Sequence, residues 1–188
     1  MPAKTEKQLT RKKNPKFSSM ALISSLPQFP DTRISLRLFH NVSNASEIRS
    51  KVAQLPYAII DARSICSLEQ VYSAIYRALV ESKYGKLKTK SLHSECLYSL
   101  SATSNIGEAY KNFGIKDDSQ MLLVIQIVDK DQQDLQLQGD EVPLNDENLS
   151  QNCDMTFIRK IYKLNEFHST STIEISRAVV NCIQLRGL

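Results

Sequence analysis

Glycine is scarce in this chain: there are five in 188 residues, and none are clustered. That scarcity removes the phosphate-cradling loops, because the dinucleotide and P-loop fingerprints need glycines where backbone amides close on a phosphate. No serine sits in a G-x-S-x-G elbow, so hydrolase chemistry of that kind has no nucleophile here. Cys66, Cys96, Cys153 and Cys182 are isolated, without a C-x-x-C pair, each in or beside an apolar run. They read as buried reduced thiols acting as small hydrophobes. His40, His93 and His168 lie far apart with no metal-ligand spacing, so structural or surface roles are expected of them and no metal or other cofactor. No apolar run approaches the roughly 20 residues of a membrane span. The first residues are basic without an apolar core, which predicts no secretory signal. These absences predict a protein of the cytosol or nucleus that makes no use of a membrane. The adjacent Asp117 and Asp118 are expected to serve a turn rather than a catalytic dyad.

Charge is plentiful but uneven around a formal net of +4. Residues 1–19 carry six basic side chains against Glu6, whereas residues 129–150 carry seven carboxylates against Lys130. The first segment is too polar to offset its ordering entropy and is predicted to be a disordered basic leader. Its "RKKNPK" is either a nuclear-entry or RNA-attracting tail or a plain solvated leader. Met20 opens an apolar stretch and is a second candidate start. Residues 129–150 are expected to form an acidic flexible loop. The rest, 20–188, has the length of one domain around one core.

Within that domain the elements alternate. "LPQFPD" (26–31) is expected to be extended and to deliver the chain into "RISLRLFH", where Ile34, Leu36 and Leu38 share one face and Arg33, Ser35 and Arg37 a solvated one. Asn44 with Glu47 resembles a capping box for a helix to about Leu55, which Pro56 stops. "YAIID" (57–61) is a short run, continuously apolar up to Asp61, and predicts a central strand. Ser67 with Gln70 opens a helix whose Leu68, Val71, Ala74, Ile75, Ala78 and Leu79 form one stripe, ending near Tyr84–Gly85. "SECLYSL" (94–100) reads as a strand. Ser104 or Asn105 caps a helix over about 106–113, with Ile106, Ala109, Tyr110 and Phe113 on one face and Gly114 as a left-handed stop. "MLLVIQIV" (121–128) is the strongest strand candidate. Asp154 caps a helix burying Phe157, Ile158, Ile161 and Leu164. Ser171 or Thr172 caps a last helix burying Ile175, Ala178, Val179, Cys182 and Ile183. The fold class expected is α/β: a single domain with a mixed β-sheet flanked by α-helices.

The remaining signals concern binding rather than catalysis. "KYGKLKTK" places Lys83, Lys86, Lys88 and Lys90 around Tyr84, which suits a phosphate backbone and a stacked base or, equally, a solvated connection. The terminal "CIQLRGL" stays apolar to the chain end, so Ile183, Leu185 and Leu188 need either the protein's own core or another surface.

With "LPQFPD", "NASEIRSK", "CSLEQVYSAIYRAL", "SECLYSLSATSNIGEAYKNFGIKDDSQ", "FIRKIYKL" and "SRAVVNCIQLRGL" laid out, the chain from Met20 to Leu188 resembles the small kinase-binding subunit of the EKC/KEOPS complex, the PRPK-binding protein family, and within it the fungal members. Residues 1–19 and much of 129–150 depart from that pattern. The resemblance implies a non-catalytic regulatory subunit and no enzyme. Its partner would be the small atypical kinase–ATPase subunit and, through it, the metal-dependent threonylcarbamoyl transferase subunit. The complex makes threonylcarbamoyl-adenosine next to the anticodon of transfer RNAs reading A-starting codons. Archaeal relatives hold the 3′ CCA end of transfer RNA, and the fungal complex is tied to telomere maintenance and transcription, which places it in nucleus, cytoplasm and telomeric chromatin. On this resemblance, Ile106, Tyr110, Ile183, Leu185 and Arg186 are the expected kinase contacts, an apolar patch with a rim charge. Phe113 is expected in the core. Lys83, Lys86, Lys88 and Lys90 would hold transfer-RNA phosphates, with Tyr84 stacking. The competing classes are a stand-alone RNA-binding module, a structural spacer without RNA contact, and a stand-alone enzyme.

Overall fold

The apolar run at residues 121–128 becomes the middle of a five-stranded sheet in the computed structural model, which describes residues 20–128 and 135–187. The leader expected over 1–19, the first part of the acidic loop and Leu188 lie outside the described residues. The strands are β1 (Leu22–Leu26), β2 (Phe29–His40), β3 (Ala58–Asp61), β4 (Leu122–Val128) and β5 (Asp140–Val142), ordered β1-β2-β4-β3 with β5 also on β2. The α/β class stands, and the mixed sheet is refined: each pairing among the described strands is antiparallel. "LPQFPD" does more than lead in. Leu26 ends β1, Pro27 and Gln28 make a two-residue turn, and Phe29 already pairs back with Leu26. β2 is long enough to take β4 along one edge and both β1 and β5 along the other, β5 taking over at Leu38 to His40 above the last β1 pair at Leu36.

Alternation along β2 and β4 sorts the two faces. Ile34, Leu36, Leu38, Leu123 and Ile125 enter the main core, with Ala58 and Ile60 of β3. Phe39, Leu122, Val124 and Ile59 enter a second, smaller core. The face of β2 expected to be solvated is thus half covered: Ser35 and Phe39 are buried, and Arg37 lies over the Phe39 ring at 4.7 Å while holding Glu141 of β5 at 2.9 and 3.1 Å. β3 is an edge strand in hydrogen-bonding order rather than the central one expected. Its continuous apolarity reflects burial on both faces, and an isolated bridge from Ile60 to Gly114 closes its outer side.

The helices are α1 (Ala45–Lys51), α2 (Leu68–Lys83), α3 (Leu92–Ser99), α4 (Ile106–Phe113), α5 (Asp146–Asn152), α6 (Met155–Ile161) and α7 (Thr172–Gln184). α1 covers the small core through Ala45 and Ile48; the others line the main one. Most start where a short polar side chain takes up an orphan amide. Ser67 accepts from Gln70 N, Ser91 from Ser94 N, Asn105 from Glu108 N, Asn145 from Asn148 N and Asp154 from Phe157 N, all at 2.8–3.1 Å. Two predicted caps do otherwise. Ser171 makes no side-chain cap bond. Asn44 makes no side-chain cap bond and clamps a distant segment, accepting from Gln138 N and donating to Gln136 O.

Three segments read from sequence need correction. "SECLYSL" is helix α3, not a strand: Ser91 caps it, and Glu95, Cys96, Leu97, Tyr98 and Ser99 are all buried, which erases any periodicity. The acidic stretch holds β5 and α5 where it is described, and Leu144 and Leu149 reach the main core. Its carboxylates have structural duties: Asp146 accepts the first amide of α2 at 2.6 Å. Gly114 is not left-handed, at φ −68 and ψ 157. Glycine is required there by crowding, because a Cβ would lie 2.5 Å from the Tyr110 carbonyl oxygen.

Asp61 closes β3 as a buried carboxylate. It accepts from the Arg63 amide and guanidinium and from the Ser119 hydroxyl at 2.8–3.2 Å, with Lys116 Nζ at 3.7 Å. Burial alone would raise its pKa, but the Arg63 hydrogen bonds and the charges of Arg63 and Lys116 outweigh that and hold it below the usual carboxylate value. A carboxylate held low contributes stability that is complete above its unfolded pKa, about 4, and that is lost as pH falls through the folded value. Urea midpoints followed into acid should therefore fall for the wild type and less steeply for Asp61→Asn; parallel curves would contradict the role of Asp61. Gly114→Ala should lower unfolding free energy by about 1–3 kcal/mol through overpacking, read from the same denaturation.

Candidate functional site

Helix α4 presents the two residues expected to face a partner. Of its single predicted stripe, Ala109 and Phe113 are buried in the main core, whereas Ile106 and Tyr110 are 37% and 42% exposed. The stripe is wider than the contact beneath it, so its outer edge stays in water. Asn105 fixes the helix start, and Thr103 Oγ1 donates to Glu108 at 2.9 Å, so the α3–α4 connection is tied to the first turn of α4.

The C-terminal segment behaves differently from the reading of it as a patch with a rim charge. Leu185 is 60% exposed, but Ile183 has no exposed surface and Arg186 is buried. Arg186 turns inward and Nη1 donates to the carbonyls of Tyr98 and, at 3.2 Å, Ser101; the guanidinium also lies 4.0 Å from the Tyr98 ring centre. Burial pushes its pKa down and the like charge of Arg77 adds to that, while Tyr98, Glu95 and Glu81 pull it back up. Arg77 of α2 in turn caps the end of α7, donating to the carbonyls of Ile183 (2.6 Å), Gln184 (3.1 Å) and Arg186 (2.7 Å). Structure therefore commits Ile183 and Arg186 to the interior of this chain. Arg186 ties the segment bearing Leu185 to residues 98 and 101, at the start of the connection that leads into α4, the helix of Ile106 and Tyr110. The signal that sequence could have given was the single charge in an otherwise apolar terminus, which is as much the mark of a buried cap as of a rim.

The lysine cluster lies at the other end of α3. Gly85 at φ +65 turns the chain out of α2, and residues 85–91 connect to the Ser91 cap. Lys83, Lys86, Lys88 and Lys90 are exposed, and Tyr84 is 67% exposed. Lys83 Nζ lies 5.8 Å from the Phe29 ring centre. Next to it opens a cleft of ≈ 580 Å³ whose lining includes Phe29, Asp31, Lys83, Leu92, His93 and Ile127. His93, expected from sequence to be structural or surface, takes a structural part here. Beyond the reach of β3, the Ile127 amide donates to His93 Nε2 at 3.2 Å, and burial lowers the imidazole pKa. An acceptor Nε2 leaves Nδ1–H as a donor. An eight-residue helix is about 12 Å long, so the apolar and basic surfaces lie at opposite ends of one short rigid element.

The thiols offer no nucleophile. Burial pushes Cys66 up to about 12 and raises Cys96, Cys153 and Cys182 as well, the reverse of what a reactive cysteine needs. Among the described residues no group of His, Cys, Asp or Glu has the geometry of a metal site, and no helix is long and apolar enough to cross a membrane.

Residues 39–187 match the family model described as kinase binding protein CGI-121. The chain is 48% identical over 171 residues to the EKC/KEOPS complex subunit CGI121 of Candida glabrata, covering 87% of this chain and 98% of that one. The protein of the same name from Eremothecium gossypii is 45% identical over 177 residues, 89% and 99% of the two chains. That of Schizosaccharomyces pombe is 35% identical over 174 residues, 86% and 98%.

The two C-terminal neighbours should separate in denaturation. Arg186→Ala leaves buried carbonyls unsatisfied and should cost about 2–4 kcal/mol, whereas Leu185→Asp should change stability by no more than about 0.5 kcal/mol. Equal effects would contradict this division.

Proposed function

The chain belongs to the kinase binding protein CGI-121 family, and on that premise we propose that it is a non-catalytic regulatory subunit of the EKC/KEOPS complex. It docks on the small atypical kinase–ATPase subunit and supports formation of threonylcarbamoyl-adenosine next to the anticodon of transfer RNAs reading A-starting codons. The observation that carries the kinase reading is the exposure of Ile106, Tyr110 and Leu185, with Arg186 joining the segment of Leu185 to the stretch that leads into α4. Such a set has the chemistry of an interface centre, where an aromatic and two aliphatic side chains gain most from losing water. Tuning of the kinase then operates through docking. The family-based reading carries with it a nuclear and cytoplasmic distribution and a chromosomal role at telomeres.

The lysine loop favours a second task, contact with the transfer RNA near its 3′ CCA end. Lys83, Lys86, Lys88 and Lys90 meet phosphates, Tyr84 stacks, and the adjoining cleft, whose lining includes Phe29, Leu79, Leu92 and Ile127, suits an unstacked base.

Co-purification with the kinase subunit tests the first task. Ile106→Asp, Tyr110→Ala and Leu185→Asp should each weaken the kinase complex by about 1–2 kcal/mol with the fold intact by circular dichroism; undiminished capture by all three would refute the docking surface. For the second task, transfer RNA should bind less tightly as salt rises, with a log–log slope that falls by about 0.7–0.9 for each lysine removed. Binding that ignores salt, or that is equal for transfer RNA lacking its 3′ end, would count against it.

A further inference from the structure

Glu95 has no exposed surface, yet it carries a carboxyl group into the body of the domain. Oε2 accepts from the Lys88 amide (3.0 Å), the Thr89 amide (2.9 Å) and the Thr89 hydroxyl (2.7 Å). Oε1 has no hydrogen-bond partner among the described residues. A carboxylate in the interior is costly, and an apolar side chain of similar volume would suit the site better if packing were all it did. What distinguishes it is what it grips. The ends of the lysine loop are tied elsewhere: Gly85 N to Ser82 O, Lys86 N to Glu81 O, and Ser91 as the α3 cap. Between those ties, the hydrogen bonds that draw residues 88 and 89 inward go to Glu95, with one more from the Thr89 hydroxyl to Ser91 O. Lys86, Lys88 and Lys90 remain exposed around this anchor.

We propose that Glu95 is a positioning residue for RNA binding. Its buried carboxylate holds the backbone at 88–89, so that the lysines present one fixed set of cations instead of a loose loop. The inference rests on the nucleic-acid reading of the loop given above. Its physical content is preorganisation: a loop already ordered loses less freedom when phosphates arrive. A bare charge effect and a positioning effect have opposite signs here. Removing a carboxylate beside four lysines strengthens attraction for a polyanion by Coulomb's law; loosening the loop weakens it.

The full chain with Glu95→Gln, and separately with Thr89→Val, decides the matter. Thr89→Val leaves the carboxylate in place, removes only the hydroxyl's bonds to Glu95 and Ser91 O, and covers the case in which the Glu95 variant folds poorly. Amide exchange at Lys88 and Thr89 should quicken about tenfold or more, while amides of Cys96 to Ser99 keep their protection. Transfer-RNA affinity should fall several-fold with the salt slope of the wild type, whereas Lys88→Ala should reduce that slope by about 0.7–0.9. Unchanged exchange at 88–89, affinity that is unchanged or improved in both variants, or a slope lowered like that of the lysine variant would each overturn the positioning role. A wild type that binds no transfer RNA at low salt overturns the nucleic-acid reading itself, and the role of Glu95 in it, an outcome told apart by the wild-type measurement alone.

Discussion

The ladder between β2 and β4 is the constraint on which the rest of the molecule depends. Its register, Ile34 opposite Ile127 through Phe39 opposite Leu122, decides which side chains face the helical layer and which face α1. A slip of one residue would exchange Leu36 and Leu38 for Arg37 and Phe39 in the main core, so burial on both faces locks the pairing. That lock also aligns β3 on the far edge of β4, and with it Asp61, Arg63 and Ser119, whose hydrogen bonds join the end of β3 to the turn before β4. Where β3 stops, at Asp61 opposite Leu122 and Ala58 opposite Ile125, the Ile127 amide is left over and His93 takes it. The edge of the sheet is thereby joined to the start of α3, beside the lysine loop.

Three arginines fasten the chain by its carbonyls rather than by carboxylate partners. Arg77 holds residues 183, 184 and 186; Arg186 holds 98 and 101; Arg159 holds Leu164, Phe167 and Ser169. The planar guanidinium, with five donors and a weakly hydrated face, suits this use, because it can satisfy several oxygens that a helix end or a loop leaves unpaired. The last turn of α7 is therefore part of the core network, and Leu185 stays exposed outside it.

Helix α3 links these features. Its first turn orders the basic loop through Glu95, and its last turn supplies the Tyr98 carbonyl that receives Arg186. The short helix thus carries a surface suited to polyanions at one end and one suited to an apolar partner at the other. Elsewhere burial raises the Cys66 thiol, and Arg63 keeps Asp61 as a structural anion.

What the sequence by itself determined is what depends on neighbours along the chain. The stripe of α2, the strand at 121–128, the caps Ser67, Asn105 and Asp154, the exposed "KYGKLKTK" and the family resemblance all rest on local spacing and local chemistry. What only tertiary structure decided depends on groups far apart in sequence. Glu95 to Leu100 is buried on every side, so its helical period was invisible. β5 exists because β2 offers it an edge roughly a hundred residues away, and Asn44 reaches across to residues 136–138. Arg186 looks like a rim charge until the carbonyls at 98 and 101 arrive beside it. Burial and long-range hydrogen bonding assign these residues their roles, and neither exists until the sheet and its helices have closed around them.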